Sequence, residues 1–381
     1  MFKFHVLYES QITQARIGML ITHRGVVETP VFMPVGTQAT IKAVPPEKIA
    51  SLGYRIVLAN TYHLYLRPGA EVIKNLGGLH RFMSWPRLIL TDSGGFQVYS
   101  LSQFRTIKEE GILFKSHLDG SEHFITPVEA LEIQTKLGSD IAMVLDTCIP
   151  YPLSYEETKA LTELTHRWAL ESFKYRQRHK NPKQAVFGII QGGMFVDLRQ
   201  KSASFITSLE FDGYAIGGLS VGEPLELRNE MIEVSTSFMP KYKPRYLMGV
   251  GTPVDIAEAV ARGVDMFDCV LPTRNARRGS LFTSQGPLSI KSSRFKTDSE
   301  PIDPNCTCYT CRNFSRGYLR HLFHTKELLV YQLLTLHNLF YYAKLIEKIK
   351  QSIKQETLLN LIQELKELYL KNTQKEAVLW T

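Results

Sequence analysis

Three of the chain's five cysteines, Cys306, Cys308 and Cys311, fall inside one short stretch, NCTCYTCRNF, from Asn305 to Phe314. At C-x-C-x2-C spacing they pair poorly with one another as disulfides, yet all three thiolates reach a single small cation. A fourth ligand is needed. His337, on the apolar stretch KELLVYQLLTLHNLFYY, is the best placed, with His321 and His324 as rivals by position. Three thiolates and one imidazole make a closed tetrahedral set, the pattern of structural zinc at one ion per chain, with no position left for water or substrate. Such a metal staples the chain and does no chemistry, so the reactive groups lie elsewhere.

Three aspartates are the candidates: Asp92 in TDSGGFQ, Asp146 in VLDTC and Asp268 in MFDCVLPT. Each follows or sits in an apolar run that reads as a strand. One such Asp is ordinarily a turn or a helix cap, but three at one rim suggest a reaction. Paired carboxylates can run glycosidic chemistry by double displacement, one attacking the anomeric carbon and another handling the proton. Glycines cluster at the same strand ends, in the pairs Gly94-Gly95, Gly192-Gly193 and Gly217-Gly218. Such pairs let the backbone approach a flat ligand and leave amide N–H groups free to bind it, besides making tight turns. Phe96 and Met248 could sandwich a planar base or simply pack in the core.

The elements that must position these groups read as alternating strands and helices. Apolar runs recur at 30–36, 54–63, 87–95, 141–147, 185–193, 214–220, 246–251 and 265–270. Between several of them lie helical patterns at 127–138, 154–179, 224–238 and 253–263, the first with Thr126 as N-cap, Pro127 in the first turn and Glu129 beside it. Short apolar strands alternating with helices imply parallel pairing. Eight of them predict an irregular (β/α)8 barrel of the TIM type, whose chemistry sits at the C-terminal strand ends; a doubly wound open sheet is the rival. The alternation is interrupted at 95–125 and again at 279–325, where the cysteines lie, and the chain is helical from Glu327 to about Leu370. The expected organisation is a barrel with its catalytic rim over 1–278, a zinc-binding part over 279–345 and a C-terminal helix packed on the barrel over 346–381.

With 381 residues, 44% of them hydrophobic and 22% charged, the composition is that of a soluble globular protein. Met1 to Ile12 has no apolar signal core and no run is long enough to span a membrane, so a cytoplasmic protein with no membrane partner is expected. The net charge of +8 is mild, but ten basic residues face three acidic ones between Arg274 and Lys326. That local excess fits either a polyanion partner or an ordinary solvated surface.

Long motifs settle the choice. TDSGGFQVYSL (91–101), FGIIQGG (187–193), YAIGGLSVGE (214–223), YLMGVGTP (246–253), DMFDCVLPTRNAR (265–277) and CTCYTCRNFSRGYLRHL (306–322) resemble the bacterial-type tRNA-guanine transglycosylases, the queuine tRNA-ribosyltransferase family. The resemblance runs from about Gly18 to His337. It implies exchange of the guanine at the first anticodon position of tRNAs with GUN anticodons, those for Asp, Asn, His and Tyr, in queuosine biosynthesis. It implies Asp268 as nucleophile, forming a covalent ribosyl ester, and Asp92 as general acid/base. Asp92, Asp146, Cys148, Gln191, Gly217, the Gly218 amide and Leu219 would bind the base, with Phe96 and Met248 on its faces and Glu223 supporting the loop. Arg274, Arg277 and Arg278 would hold the anticodon loop. Cys306, Cys308, Cys311 and His337 would bind Zn2+, and Phe314, Tyr318 and His321 match a homodimer interface. Exchange on a base in folded tRNA requires that base to be unstacked into a pocket.

Val221 and Cys148 resemble the bacterial enzymes that take the 7-deazaguanine base 7-aminomethyl-7-deazaguanine (preQ1); queuine is the alternative, and a branched side chain at 221 narrows the pocket against it. Two positions depart from the family pattern. Thr147 stands where the family often has Glu, and Phe314 where a larger aromatic is frequent. Two other readings compete. A zinc hydrolase on the same barrel needs several histidines at strand ends, where only His63 is found. A non-catalytic tRNA-binding paralogue would lack the nucleophile or the zinc ligands, all of which are present.

Overall fold

A computed structural model of the protein describes residues 2–101 and 104–369. The first three strands, β1 (Lys3–Glu9), β2 (Arg16–Thr22) and β3 (Gly25–Thr29), form an antiparallel sheet that the alternation of the later chain does not announce. The barrel then opens with β4 (Val31–Gly36), β5 (Ile56–Ala59) and β6 (Leu88–Thr91). The excursion at 95–125 is a second antiparallel sheet, β7 (Arg105–Lys108), β8 (Gly111–Lys115) and β9 (Glu122–Ile125). The barrel resumes with β10 (Ile141–Met143), β11 (Ala185–Ile190), β12 (Gly213–Ile216), β13 (Arg245–Leu247) and β14 (Met266–Cys269), and the hairpin β15 (Ser280–Thr283) and β16 (Gly286–Ser289) follows.

All eight barrel strands pair in parallel. The ring closes where β14 meets β4, with Asp268 opposite Met33, so the doubly wound open sheet is excluded. The eight strands lie within or within one residue of the apolar runs read from the sequence, but are shorter. The run at 54–63 holds four strand residues, and its tail already belongs to the helix Thr61–Leu66. The helix Pro127–Leu137 carries the expected start signals: Thr126 and Glu129 form a reciprocal capping box, and Gly138 ends it at φ +75°.

Buried charges at the N-terminal end of the barrel explain the first sheet. Asp265, just before β14, accepts from the Arg16 guanidinium at 2.9 and 2.5 Å and from the Arg245 amide at 2.7 Å. The same guanidinium donates to the carbonyls of Lys241 and Lys243, at the entry to β13. Asp140, just before β10, likewise takes Arg24 at 2.9 Å and His80 at 2.9 Å. A buried ion pair holds only when its remaining hydrogen bonds are satisfied, as they are here. The sheet therefore covers that mouth of the barrel and leaves the C-terminal rim as the accessible one.

The helix Leu328–Lys354 runs from the cysteine region on to the barrel. Its Leu333 and Leu334 pack in a small core with Leu281, Ile290, Phe295 and Leu319, and its Leu339, Tyr342, Ile346 and Ile349 in the main core. The chain turns at Glu356, which has φ +56° and accepts from Tyr8 of β1 and from Ser10 and the Gln11 amide just beyond it. A further helix, Leu358–Tyr369, lies back on the barrel, where Lys366 meets Glu258 at 2.5 Å. Of the C-terminal part expected over 346–381, residues 370–381 lie outside the described residues. Among the described residues no helix is long and apolar enough to cross a membrane.

Candidate active site and metal centre

Asp92, Asp146 and Asp268 all stand at the C-terminal rim: Asp92 directly after β6, Asp146 three residues beyond β10, Asp268 within β14. All three are buried, and each is held by neutral donors. Asn60 Nδ2 donates to Asp92 Oδ2 at 2.5 Å, and the Thr61 amide to Oδ1 at 2.8 Å. Gln191 Nε2 donates to Asp146 Oδ2 at 2.7 Å, with Ser93 Oγ at 3.4 Å from Oδ1. Tyr246 OH donates to Asp268 Oδ1 at 2.5 Å, and the Gly249 amide reaches the same oxygen at 2.7 Å. Burial without a cation raises all three carboxyl pKa values. Asp92 is pushed up to about 6, by burial first, with the field of Asp268 adding to it. Asp146 is pushed up to about 6 by burial, which outweighs the Gln191 and Ser93 bonds. Asp268 also rises, held back by the Tyr246 and Gly249 bonds.

Gln191 follows β11 and is braced between Asp146 and the glycine pair after β12. A Cβ at Gly217 would lie 2.7 Å from Gln191 Nε2, and one at Gly218 2.3 Å from Gln191 Oε1, so only glycines let the amide side chain sit there. Gly218 also has φ +67°. Leu219 is buried. The loop beyond it is fixed by Glu223, whose two oxygens accept the Ser220 amide at 2.5 Å and the Val221 amide at 2.8 Å, with Ser220 at φ +65°. Phe96, in the first turn of the helix Gly95–Leu101, is 53% exposed, while Met248 is half-buried just past β13. Cys148 is half-buried, and burial pushes its thiol up to about 12, so it stays a neutral wall group at pH 7.

Arg274 and Arg277 lie on the helix Leu271–Arg277 that leaves β14, and Arg278 caps it. Arg277 donates to the Thr273 carbonyl at 2.8 Å; burial and the neighbouring Arg274 and Arg278 charges lower its pKa. Three guanidinium groups crowded beside a rim of buried carboxylates make a positive shoulder suited to phosphates.

The three thiols and His337 converge, with all four ligand atoms within 4.8 Å of one another. His337 Nδ1 lies 3.7, 3.7 and 3.3 Å from the sulfurs of Cys306, Cys308 and Cys311. A tetrahedral ion with Zn–S and Zn–N bonds of ordinary length separates S and N by about 3.5 Å. The imidazole Nε2 lies 2.8 Å from the Phe282 carbonyl, which can only accept, so the proton sits on Nε2 and Nδ1 keeps its lone pair for a metal. His321 and His324 are exposed, on the helix Arg316–His324, outside this cluster. Next along the helix, Asn338 donates to the carbonyls of Pro272 and Ser280 and accepts the Phe282 amide, which ties the metal centre to the arginine-bearing helix.

Four groups escaped the sequence reading: Asn60, Thr61, Tyr246 and Gly249. The first two end a run read as strand and the others lie in YLMGVG, so their place at the rim was legible. Their bonds to aspartates of other strands were not.

The buried carboxylates set a pH dependence. The folded state holds the protons of Asp92 and Asp146 more tightly than the unfolded chain does, with pKa values of about 6 against 3.8. Their contribution is favourable below 3.8 and is lost as pH rises to about 6, so at pH 7 both ionised groups cost stability. Asp146→Asn should therefore gain stability on the order of 2 kcal/mol relative to the parent between pH 4 and pH 7. Urea denaturation at the two pH values checks this, and a difference independent of pH would contradict it.

The chain matches the family model described as Queuine tRNA-ribosyltransferase over residues 11–371. It is 54% identical over 374 residues to the queuine tRNA-ribosyltransferase of Caldanaerobacter subterraneus subsp. tengcongensis, covering 98% of this chain and 99% of that protein. It is 55% identical over 352 residues to that of Moorella thermoacetica, covering 92% and 94%. A Thermoanaerobacter relative of the same name is 54% identical over 358 residues, covering 94% and 95%. With the closed barrel, the carboxylate rim and the Cys3His cluster on one chain, the match over nearly its whole length places this protein in the queuine tRNA-ribosyltransferase family of tRNA-guanine transglycosylase enzymes.

Proposed function

We propose that this enzyme exchanges the guanine at the first anticodon position of GUN-anticodon tRNAs for preQ1 through a covalent intermediate on Asp268. The observation that carries the reading is the pair of buried carboxylates at one rim, one held at a single oxygen and the other with its pKa near neutrality. Tyr246 and Gly249 both donate to Oδ1 of Asp268, so Oδ2 keeps its lone pairs for attack on C1′. That attack breaks the bond from C1′ to the base, and Asp92, protonated, delivers its proton to the departing guanine. The ester carbonyl that forms stays hydrogen-bonded to Tyr246 and Gly249. In the second half Asp92, now ionised, takes the proton of the incoming base, whose nitrogen attacks C1′ and releases the Asp268 carboxylate. A group with pKa about 6 can both give and take a proton near pH 7.

Asp146 and Gln191 read the edge of the base, the Gly217-Gly218 backbone and Leu219 line its flank, and Phe96 and Met248 cover its faces. Val221, fixed through Glu223, and Cys148 narrow the pocket to an aminomethyl group, which favours preQ1 over queuine. Arg274, Arg277 and Arg278 hold the neighbouring phosphates. In the Cys3His cluster zinc serves as a structural staple, for which the neutral Nδ1 of His337 and three thiolates are suited donors. The stacked Phe314 and Tyr318 rings, 5.5 Å apart with Tyr318 41% exposed, and His321 on the same helix are the proposed homodimer contact.

Labelled guanine should enter a tRNA with guanine at the first anticodon position, and Asp268→Ala should abolish incorporation. Incorporation by the alanine variant would remove Asp268 from the mechanism, and better competition by queuine than by preQ1 would reverse the base assignment. Native mass spectrometry should find a dimer with one zinc per chain; a metal-free protein or a monomer would overturn the corresponding proposal.

A further inference from the structure

We propose that Thr165, on the helix Tyr155–Arg178, is a positioning residue for base recognition, acting with Thr147 to pin the segment that carries Asp146 and Cys148. The inference rests on the reading of those two residues as the base-binding wall. Beyond β10 the chain runs without regular structure from Val144 to Pro150. Asp146 faces Gln191 and Ser93 at the rim, whereas Thr147 faces the helix Tyr155–Arg178. Thr147 is fully buried, and its polar atoms close a small network. Its amide donates to Thr165 Oγ1 at 3.1 Å, its hydroxyl donates to the Leu161 carbonyl at 2.9 Å, and the two threonine oxygens lie 2.7 Å apart. With those two donations fixed, the Thr165 hydroxyl donates to Thr147 Oγ1. Every donor is spent on a partner, and the segment is tied at its middle residue to a 24-residue helix.

The opposite side has no slack. A Cβ on Gly95 would meet the Asp146 carbonyl at 3.0 Å, Gln191 is bonded to Asp146 at 2.7 Å, and a Cβ on Gly217 would meet Gln191 Nε2 at 2.7 Å. A shift of a few tenths of an ångström at Thr147 therefore reaches Asp146, Gln191 and the glycine pair together. The network needs a hydroxyl at 147, and both threonines are fully buried. That gives Thr147 a physical reason at a position where the family pattern often has Glu.

The test is steady-state exchange with labelled guanine as the varied base and full-length tRNA. Thr165→Val keeps shape but removes the acceptor for the Thr147 amide and the donor to its hydroxyl. KM for the base should rise about tenfold, with kcat and KM for tRNA within about twofold of the parent, and Thr165→Ser should restore KM for the base. Where Thr165→Val fails to fold, Thr147→Val, which keeps the amide bond, should show the same split to a smaller extent. An unchanged KM for the base in a folded valine variant overturns the proposal. So does a fall of kcat with both KM values raised together and thermal stability lost, which is the mark of a merely structural threonine. A parent protein that exchanges no base overturns the functional reading itself, whereas a Thr165→Val that behaves as the parent overturns the positioning role alone.

Discussion

Burying three carboxylates in one rim without cations is the constraint to which the rest of the active end of the barrel answers. Asp92, Asp146 and Asp268 are each stabilised by neutral donors from a different strand end: Asn60 and Thr61 after β5, Gln191 after β11, Tyr246 and Gly249 in and after β13. A guanidinium in their place would lower the pKa values and make the pairs inert as proton carriers. Neutral donors fix the geometry and leave the proton affinity high. The glycines at 217 and 218 follow from the same demand, since the Gln191 amide that holds Asp146 occupies the volume their side chains would need.

The opposite mouth of the barrel is built by the opposite rule. Asp265 and Asp140 are buried there too, but each faces guanidinium groups, Arg16 and Arg24, brought in by the antiparallel sheet at the start of the chain. Complete pairing makes that end stable and chemically silent. The Cys3His cluster adds a third kind of constraint. Through His337 and Asn338, adjacent on one helix, it links the cysteine cluster to the carbonyls around β15 and to the helix that carries Arg274 and Arg277. Asn338 thereby fixes the helix that carries the cationic shoulder to the helix that carries His337.

Much of this was legible in the sequence, because the signals were local. The eight barrel strands, the capped helix starting at Pro127 and the Cys3His set each follow from residues close together or from one donor chemistry. The first sheet was not legible, because its purpose is a contact between Arg16 and Asp265 across most of the chain. The sheet in the 95–125 excursion and the break at Glu356 were missed for a different reason: a strand in an excursion and a turn in a Leu- and Lys-rich helix carry weak local signals. Among the site residues, Asp92, Asp146, Asp268 and Gln191 are placed at one rim as the motifs imply. Asn60 and Tyr246 needed the folded barrel, since only closure brings the ends of neighbouring strands within hydrogen-bonding reach. Thr147, which stood out only as a departure, has its partner on a helix that sequence proximity does not connect to it.

Asp268 is proposed to become covalently attached to the tRNA, and the first experiment is to trap that species. The protein is incubated with tRNA bearing guanine at the first anticodon position, quenched in denaturant and resolved on a denaturing gel, with Asp268→Ala alongside. A base-labile protein–tRNA adduct should form in the parent and none in the variant. An adduct of equal yield in Asp268→Ala, or one that survives alkali, would contradict it.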